Sequence, residues 1–489
     1  MSRPSHDVLS SKAPGGKTFL GHPLPLFNLF SIELWERFSF YGMQAILAFY
    51  MYYSVTDGGL GLDQDMAVGL VGAYGGGVYL STILGAWLAD RLLGSERVLF
   101  YSAMLIMLGH IALALLPGAI GLTVGLILVA IGSGGLKANA TSIVGTLYSQ
   151  QDERRDAGFS IFYMGVNAGG FIGPLITGWL QTTAGFHWGF GAAAIGMALG
   201  LVQYGLTRKS LPEQAHLVPN PLPRQQLGRA ISIAAVALVV IVIAVLLGWI
   251  RADNLKWVVV GVVVIAAIAY FTVILANKRV SSEERSRVFA FIPLFIASAA
   301  FWSLYQQQFT FLPRYADTRL DRNLFGWEFP AAWVQSINPI FIIVFAGVFA
   351  VLWTKLGSRQ PSTPIKFSLA LVIMGLAFLC FIPLSGFSAV PLLALVGILF
   401  LFTMAELLIS PVGLSLATKL APQAFHTQMV ALFFLSISLG TTLSGVLAGF
   451  YKADNELPYF TAIGGAAIVL GLALAAATKP IRKLMAGVH

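Results

Sequence analysis

Charge is scarce in this chain. Only 10% of its 489 residues are Asp, Glu, Lys or Arg, while 57% are hydrophobic and the mean hydropathy is +0.80. Too few polar groups remain to cover a water-soluble protein of this size, which excludes a large globular fold with a greasy core. There is one cysteine, Cys380, within an apolar run. It excludes an intrachain disulfide, argues against a thiolate metal centre, and reads as a small buried hydrophobe. No HExxH motif or paired nucleophile and base occurs, and no segment outside the apolar runs is long enough for a catalytic domain. An intramembrane enzyme therefore stays a remote alternative. Short alternating segments of the β-barrel type are also missing. The net charge of +9 is spread over many short loops, so no nucleic-acid partner is expected.

What the chain does have is apolar length. Fourteen runs each reach the ~20 residues that span a bilayer. They lie at roughly 26–54, 66–90, 97–117, 119–149, 157–183, 188–207, 229–250, 255–277, 288–313, 330–355, 364–384, 389–420, 425–450 and 458–479. This predicts an all-α polytopic membrane protein with 14 transmembrane helices. Pro174, Pro293, Pro339 and Pro411 fall inside runs and predict kinks. The first 25 residues are polar, carry no cleavable signal pattern, and read as a cytoplasmic tail. If the N-terminus is inside, 22 of the 30 Lys and Arg residues fall on the cytoplasmic side and six on the other. That bias predicts an even number of helices and both termini in the cytoplasm, in the plasma or inner membrane.

The expected organisation is a tail (1–25), a six-helix bundle (26–207), a Pro-rich linker (208–228), a two-helix insertion (229–278), a second six-helix bundle (288–479) and a tail (480–489). The insertion is almost pure Ile, Val, Leu and Ala and reads as a peripheral hairpin without chemistry. Two bundles of six fit a carrier with its site between them at mid-membrane, sufficient as a monomer.

Two Lys or Arg residues remain, Arg37 and Lys137, and both lie inside membrane runs. Arg37 sits in ELWERFSFYGMQ (33–44) beside Glu33 and Glu36. One charge at a helix centre costs ~2.5–3.5 kcal/mol, so three unpaired would cost about 8–10. They must face each other and a wet cavity. Glu33, Arg37, Tyr41 and Gln44 share one helical face, and Glu33 precedes Arg37 by four residues, the favourable order for a pair. A structural ion-pair knot locking two helices is the competing reading. Lys137 in GSGGLKANATSIVG and Glu406 in FTMAELLISPVG are each the one charge within a helix. Asn167, Asn338 and Tyr79 add neutral polar groups. A mixed-sign cavity of this kind suits a zwitterion. GSGGLK lacks the spacing of a phosphate loop and reads as close helix packing. His110 reads as a packed or hydrogen-bonded residue, QQDERRDAG (150–158) as a cytoplasmic turn, and 314–329 as an external gate or cap.

ELWERFSFYG (33–42) resembles the E-x-x-E-R-F-x-Y-Y-G signature of the proton-dependent oligopeptide transporter family, within the major facilitator superfamily. GAWLADRLLG (85–94), FSIFYMGVNAGGFIGP (159–174) and ELLISPVGLSLATKLAP (406–422) resemble its other signatures, so the likeness covers nearly the whole chain. It implies the superfamily fold with two extra helices and symport of di- and tripeptides with protons, driven by the proton gradient without a cofactor. By position, Arg37 and Lys137 would meet the peptide carboxylate, and Asn167, Asn338 and Glu406 the amino end. Tyr41, Tyr79 and Trp302 would line the pocket. Glu33 and Glu36 would couple to protons, and Lys137 with Glu406 would link the bundles on the inward side. Three positions depart from the family. Gln44 and Gln306 stand where a gating Arg–Glu pair is common, which predicts an amide hydrogen bond instead. Gly72 stands where animal relatives carry His, and Phe433 where a Trp is common, reshaping a side-chain pocket. A same-fold carrier of nitrate, an amino acid or a drug is the alternative.

Overall fold

A backbone in lipid must satisfy its own hydrogen bonds, and this chain does so with helices. The computed structural model describes residues 18–149, 152 and 154–487. Its helices are α1 (Pro25–Tyr52), α2 (Gln64–Leu88), α3 (Ser95–Leu115), α4 (Gly118–Thr146), α5 (Arg155–Thr183), α6 (Phe186–Thr207), the short α7 (Glu213–His216), α8 (Arg224–Leu246) and α9 (Leu255–Ala276). Then follow α10 (Ser282–Tyr305), α11 (Gln307–Thr318), α12 (Ile337–Leu356), α13 (Thr363–Leu379), α14 (Leu392–Lys419), α15 (His426–Ala448), α16 (Leu457–Ala476) and the short α17 (Thr478–Leu484). Among the described residues, thirteen stretches are long and apolar enough to cross a membrane, α10 and α11 counting as one. The fourteenth long helix is α1, 28 residues that carry Glu33, Glu36 and Arg37.

Several boundaries differ from the sequence expectation for identifiable reasons. The helix expected from 288 starts at Ser282, because Ser281 and Glu284 form a reciprocal capping box. It breaks at Gln306, and α11 resumes as a separate helix. Residues Ala331–Ser336 form a 3-10 turn, and α12 begins only at Ile337. Pro339 thus falls in a first turn, where its missing N–H costs nothing and no kink is required. Pro174 and Pro293 do lie inside helices. Of Pro411 only the backbone is described, within α14. Cys380 is not buried: it caps α13 on the outer surface. Residues 1–17 of the expected tail, 150, 151 and 153 of the expected turn, and 488–489 lie outside the described residues. The described end of the tail is not loose. β1 (Thr18–Phe19) pairs with β2 (His22–Pro23), and His22 Nδ1 lies 2.9 Å from Tyr148 OH. His110 is fully buried with no hydrogen-bond partner at either ring nitrogen.

Helices α1–α6 form one bundle and α10–α16 the other, joined chiefly where α2 packs along α15. Glycine makes this seam. A Cβ at Gly72 would come within 2.7 Å of the Gly445 backbone, and one at Gly76 would run into Thr442. Position 72 therefore has no room for any side chain, histidine included, while the helices touch. The inserted hairpin is less peripheral than expected. Helix α8 has no buried residue, but α9 buries Val263, Ala267 and Ile274 and packs on both α2 and α15, bracing the seam from outside.

The two ends of the molecule differ. Opposite the linker, each bundle offers a carboxylate to the other. Asp65 accepts from Arg314 at 3.3 Å and Lys452 at 2.9 Å, and Asp317 accepts from Tyr52 at 3.2 Å and Tyr53 at 2.8 Å. The chain after α11 folds into a two-residue hairpin, β3 (Asn323–Leu324) with β4 (Trp327–Glu328), so the 314–329 segment caps this end. At the linker end, buried Glu96 pairs with Arg208 and approaches His216 Nδ1 at 3.4 Å, tying the linker to the first bundle.

Close packing at the seam gives a first expectation. Gly72→Ala lowers the thermal unfolding midpoint of the detergent-solubilised protein, at a cost of about 1–3 kcal/mol. Gly77→Ala, whose Cβ meets nothing within 4 Å, leaves the midpoint unchanged or raises it slightly. Equal effects of the two substitutions would contradict the packing account.

Candidate functional site

Between the bundles lies a cavity of about 800 Å³ with walls from α1, α2, α4, α5, α10, α11, α12, α14 and α15. Its lining reaches Ser160 near the start of α5 and Trp353 in the last turn of α12, so it runs to the linker end. Toward the far end it stops below the Asp65 and Asp317 ties. Further bonds across the bundles close that half: Ser336 Oγ donates to Phe171 O at 2.8 Å and Trp333 Nε1 to Leu175 O at 2.9 Å.

The charged face of α1 forms one wall. Arg37 Nε donates to Glu33 Oε1 at 2.9 Å and lies 2.7 Å from Glu36 Oε2. Ser133 of α4 donates to Glu36 Oε1 at 3.0 Å. The two acids have different surroundings. Glu33 and Arg37 line the cavity, whereas Glu36 is fully buried behind them. Arg37 Nη2 and Glu33 Oε2 are left without hydrogen-bond partners. Burying an unpaired donor is costly, so the free guanidinium edge is poised for an anionic guest. Lys137 stands nearby, its Nζ 3.2 Å from Tyr79 OH and 4.4 Å from the Tyr79 ring centre. Tyr41 stacks on Phe309 of α11 with ring centres 5.9 Å apart, an aromatic bridge between bundles.

The opposite wall is acidic and amide-rich. Tyr305 OH donates to Glu406 and lies 3.1 Å from Asn338 Oδ1, while Asn338 Nδ2 donates to Thr403 at 2.9 Å. Trp302 meets Tyr305 edge-on at 5.4 Å, its indole N–H unpartnered. Asn167 lines the cavity and its Nδ2 bonds back to Tyr163 O of its own helix at 2.9 Å.

Of the residues singled out by sequence for the site, Glu36 and Phe433 stand off the cavity wall. Two expected pairs are absent. Among the described residues no ion pair joins Lys137 to Glu406: each is held within its own bundle while the linker end is open. No hydrogen bond joins Gln44 to Gln306. Gln306 and Gln44 both line the cavity, and Gln44 Oε1 has no partner. Phe433 lies outside the cavity, packed where Gly413 leaves room for its ring. Sequence reasoning passed over Ser133, Tyr305 and Phe309. Ser133 and Tyr305 had a signal, standing four residues before Lys137 and three after Trp302 on shared helical faces. Phe309 had none, because only the break at Gln306 turns it toward Tyr41.

The family model described as "POT family" matches residues 96–464. The chain belongs to the POT family. It is 44% identical over 478 residues to the uncharacterized transporter YclF of Bacillus subtilis (strain 168), covering 96% of this chain and 97% of that one. The di-/tripeptide transporter of Lactococcus lactis subsp. cremoris is 40% identical over 492 residues, covering 97% and 98%. A crystal structure of the peptide transporter POT in complex with sulfate superposes with a TM-score of 0.92 at 47% identity, over 96% of this chain and 97% of that chain. The fold is therefore that of the major facilitator superfamily with two added helices.

Removing one member of a buried ion cluster strands the others. Arg37→Leu destabilises this POT-family chain by about 3–5 kcal/mol in chemical or thermal unfolding. Adding Glu33→Gln and Glu36→Gln to Arg37→Leu recovers most of that loss. No recovery would mean that the three groups do not act as one cluster.

Proposed function

We propose that this chain is a proton-coupled symporter that imports di- and tripeptides by alternating access, as a monomer with both termini in the cytoplasm. The observation that carries this reading is the polarity of the cavity. Cationic Lys137 and the free edge of Arg37 line one bundle, and Glu406 with Tyr305 and Asn338 lines the other. A zwitterion laid across the gap has a partner for each end. The kinship with a di-/tripeptide transporter supports a peptide as that zwitterion. The excess of basic residues at the linker end supports a cytoplasmic orientation for the open side.

The working cycle follows from which contacts compete. A peptide carboxylate takes Arg37 Nη2 and Lys137, and its amine takes Glu406. Lys137 and Glu406, apart while the linker end is open, would meet when that end closes and hold it shut until a peptide competes for them. Glu33 faces the cavity and exchanges the proton, while Glu36, held by Ser133, backs Arg37 and passes on the change in charge. Protonation loosens Arg37 from its acids and lowers the barrier to rocking. No cofactor is needed. One proton falling through ~100 mV supplies about 2.3 kcal/mol, and one pH unit adds about 1.4 kcal/mol. Together they support an accumulation of roughly several hundred-fold at one proton per neutral peptide.

Uptake of labelled di-alanine into liposomes, under an imposed pH gradient and potential, tests the reading. Flux should need the gradient, and the label should stay in intact peptide. Uptake of nitrate or a free amino acid without di-alanine would replace the substrate, and hydrolysis would replace the class. Glu33→Gln and Glu36→Gln should abolish gradient-driven uptake while sparing peptide counterflow; loss of both activities points to a structural knot. Lys137→Ala should weaken di-alanine binding about tenfold or more, a loss of roughly 1.5–3 kcal/mol for a charged hydrogen bond. Val240→Ala, on the exposed face of α8, should change nothing.

A further inference from the structure

The charged residues of the cavity wall are Glu33, Arg37, Lys137 and Glu406, and all sit at or below the level of Tyr41 and Asn338. Above them, toward the far end, the lining changes character. Gln44 lies one turn above Tyr41 on α1, and Gln335 lies one turn before Asn338 in the 3-10 segment leading into α12. Gln308, Thr310, Thr441 and Ser444 add polar groups here from α11 and α15, beside Val71, Gly72 and Gly75 of α2 and Phe309 of α11. Every one of the six polar residues is neutral, and the two outer glutamines are poorly satisfied. Gln335 is only 6% exposed, yet neither its Oε1 nor its Nε2 has a hydrogen-bond partner. Gln44 is 4% exposed with its Oε1 unpartnered. Buried amides in that condition are an unusual expense for a protein. Both residues lie in the wall of the cavity, where a turn of the side chain would bring these atoms to a guest.

We propose that this closed end is a side-chain subsite that reads a neutral amide, the side chain of Gln or Asn in a bound peptide, through Gln44 and Gln335. The inference rests on the peptide reading above. Its geometry follows from helix rise. One turn above Tyr41 and Asn338 is about 5 Å, the reach of a Gln side chain from a peptide backbone laid between Arg37 and Glu406. An amide presents donor and acceptor together, which matches the free Oε1 and Nε2 of Gln335 and the free Oε1 of Gln44. An apolar side chain of the same length leaves those atoms unpaired. An acidic or basic one enters a chamber with no counter-charge and loses its hydration there. In this chain the neutral residues Gln44 and Gln306 do not bond each other, which leaves the Gln44 amide oxygen available to substrate.

The test compares peptides of one backbone. Inhibition of labelled di-alanine counterflow is measured for Ala-Gln, Ala-Met, Ala-Glu and Ala-Lys in reconstituted protein. Ala-Gln should bind about tenfold tighter than Ala-Met and Ala-Glu, the order expected when one buried hydrogen-bonding pair is gained or lost. Gln335→Leu should bring the Ala-Gln to Ala-Met ratio close to one, with di-alanine inhibition in the same preparation reporting that the variant is folded. Gln335→Glu should shift the ranking toward Ala-Lys. A wild-type ratio near one, or a ranking that both variants leave unchanged, overturns the subsite. Absence of any di-alanine counterflow in the wild type overturns the peptide reading itself, so the two failures are distinguishable.

Discussion

A guanidinium cannot stand alone at bilayer depth. Arg37 survives there because Glu33 and Glu36 flank its Nε at 2.9 and 2.7 Å and Ser133 steadies the second acid. That arrangement consumes one edge of Arg37 and leaves Nη2 unsatisfied beside a cavity. Everything chemical in the molecule follows from this incomplete pairing. Complete pairing would give an inert knot, and no pairing would leave charges too costly to insert. The intermediate condition leaves a site whose balance an anionic guest or a proton can tip.

The same logic organises the larger architecture. In the proposed cycle two bundles that rock need one surface that holds and another that opens. The holding surface is built from glycines along α2 and α15, where backbones approach without side chains between them, and from the carboxylates Asp65 and Asp317, each held by donors of the opposite bundle. These surface ties offer restraint at the end toward which Gln44 points the cavity lining, where Gln44 and Gln306 carry no charge. Helix α9 lies across the seam on the lipid side, so the inserted hairpin touches the surface along which the bundles meet.

Much of this was legible in residue order. Fourteen apolar runs, the sidedness of Lys and Arg, and the 33–44 motif were enough to reach a two-bundle carrier and most of the cavity wall. Legibility failed where a residue's role depends on a partner distant in sequence. Glu33 and Glu36 look equivalent in the motif, but Ser133 and the burial of the second acid separate them. Gln44 and Gln306 look like a substitute pair, but α10 breaks at Gln306 and no hydrogen bond joins the two amides. Phe433 looks like a pocket residue, but Gly413 offers it a better place outside. Cys380, read as buried but exposed, went the same way, since burial on a helix depends on which neighbour covers it.

Sequence alone determined the solvent, the number of long helices and the need for a shared wet chamber, because hydropathy and charge cost act residue by residue. Tertiary structure decided which acid faces the chamber, which amides are left open, and which end is shut. Those outcomes are set by distances between helices, and no local pattern encodes a distance.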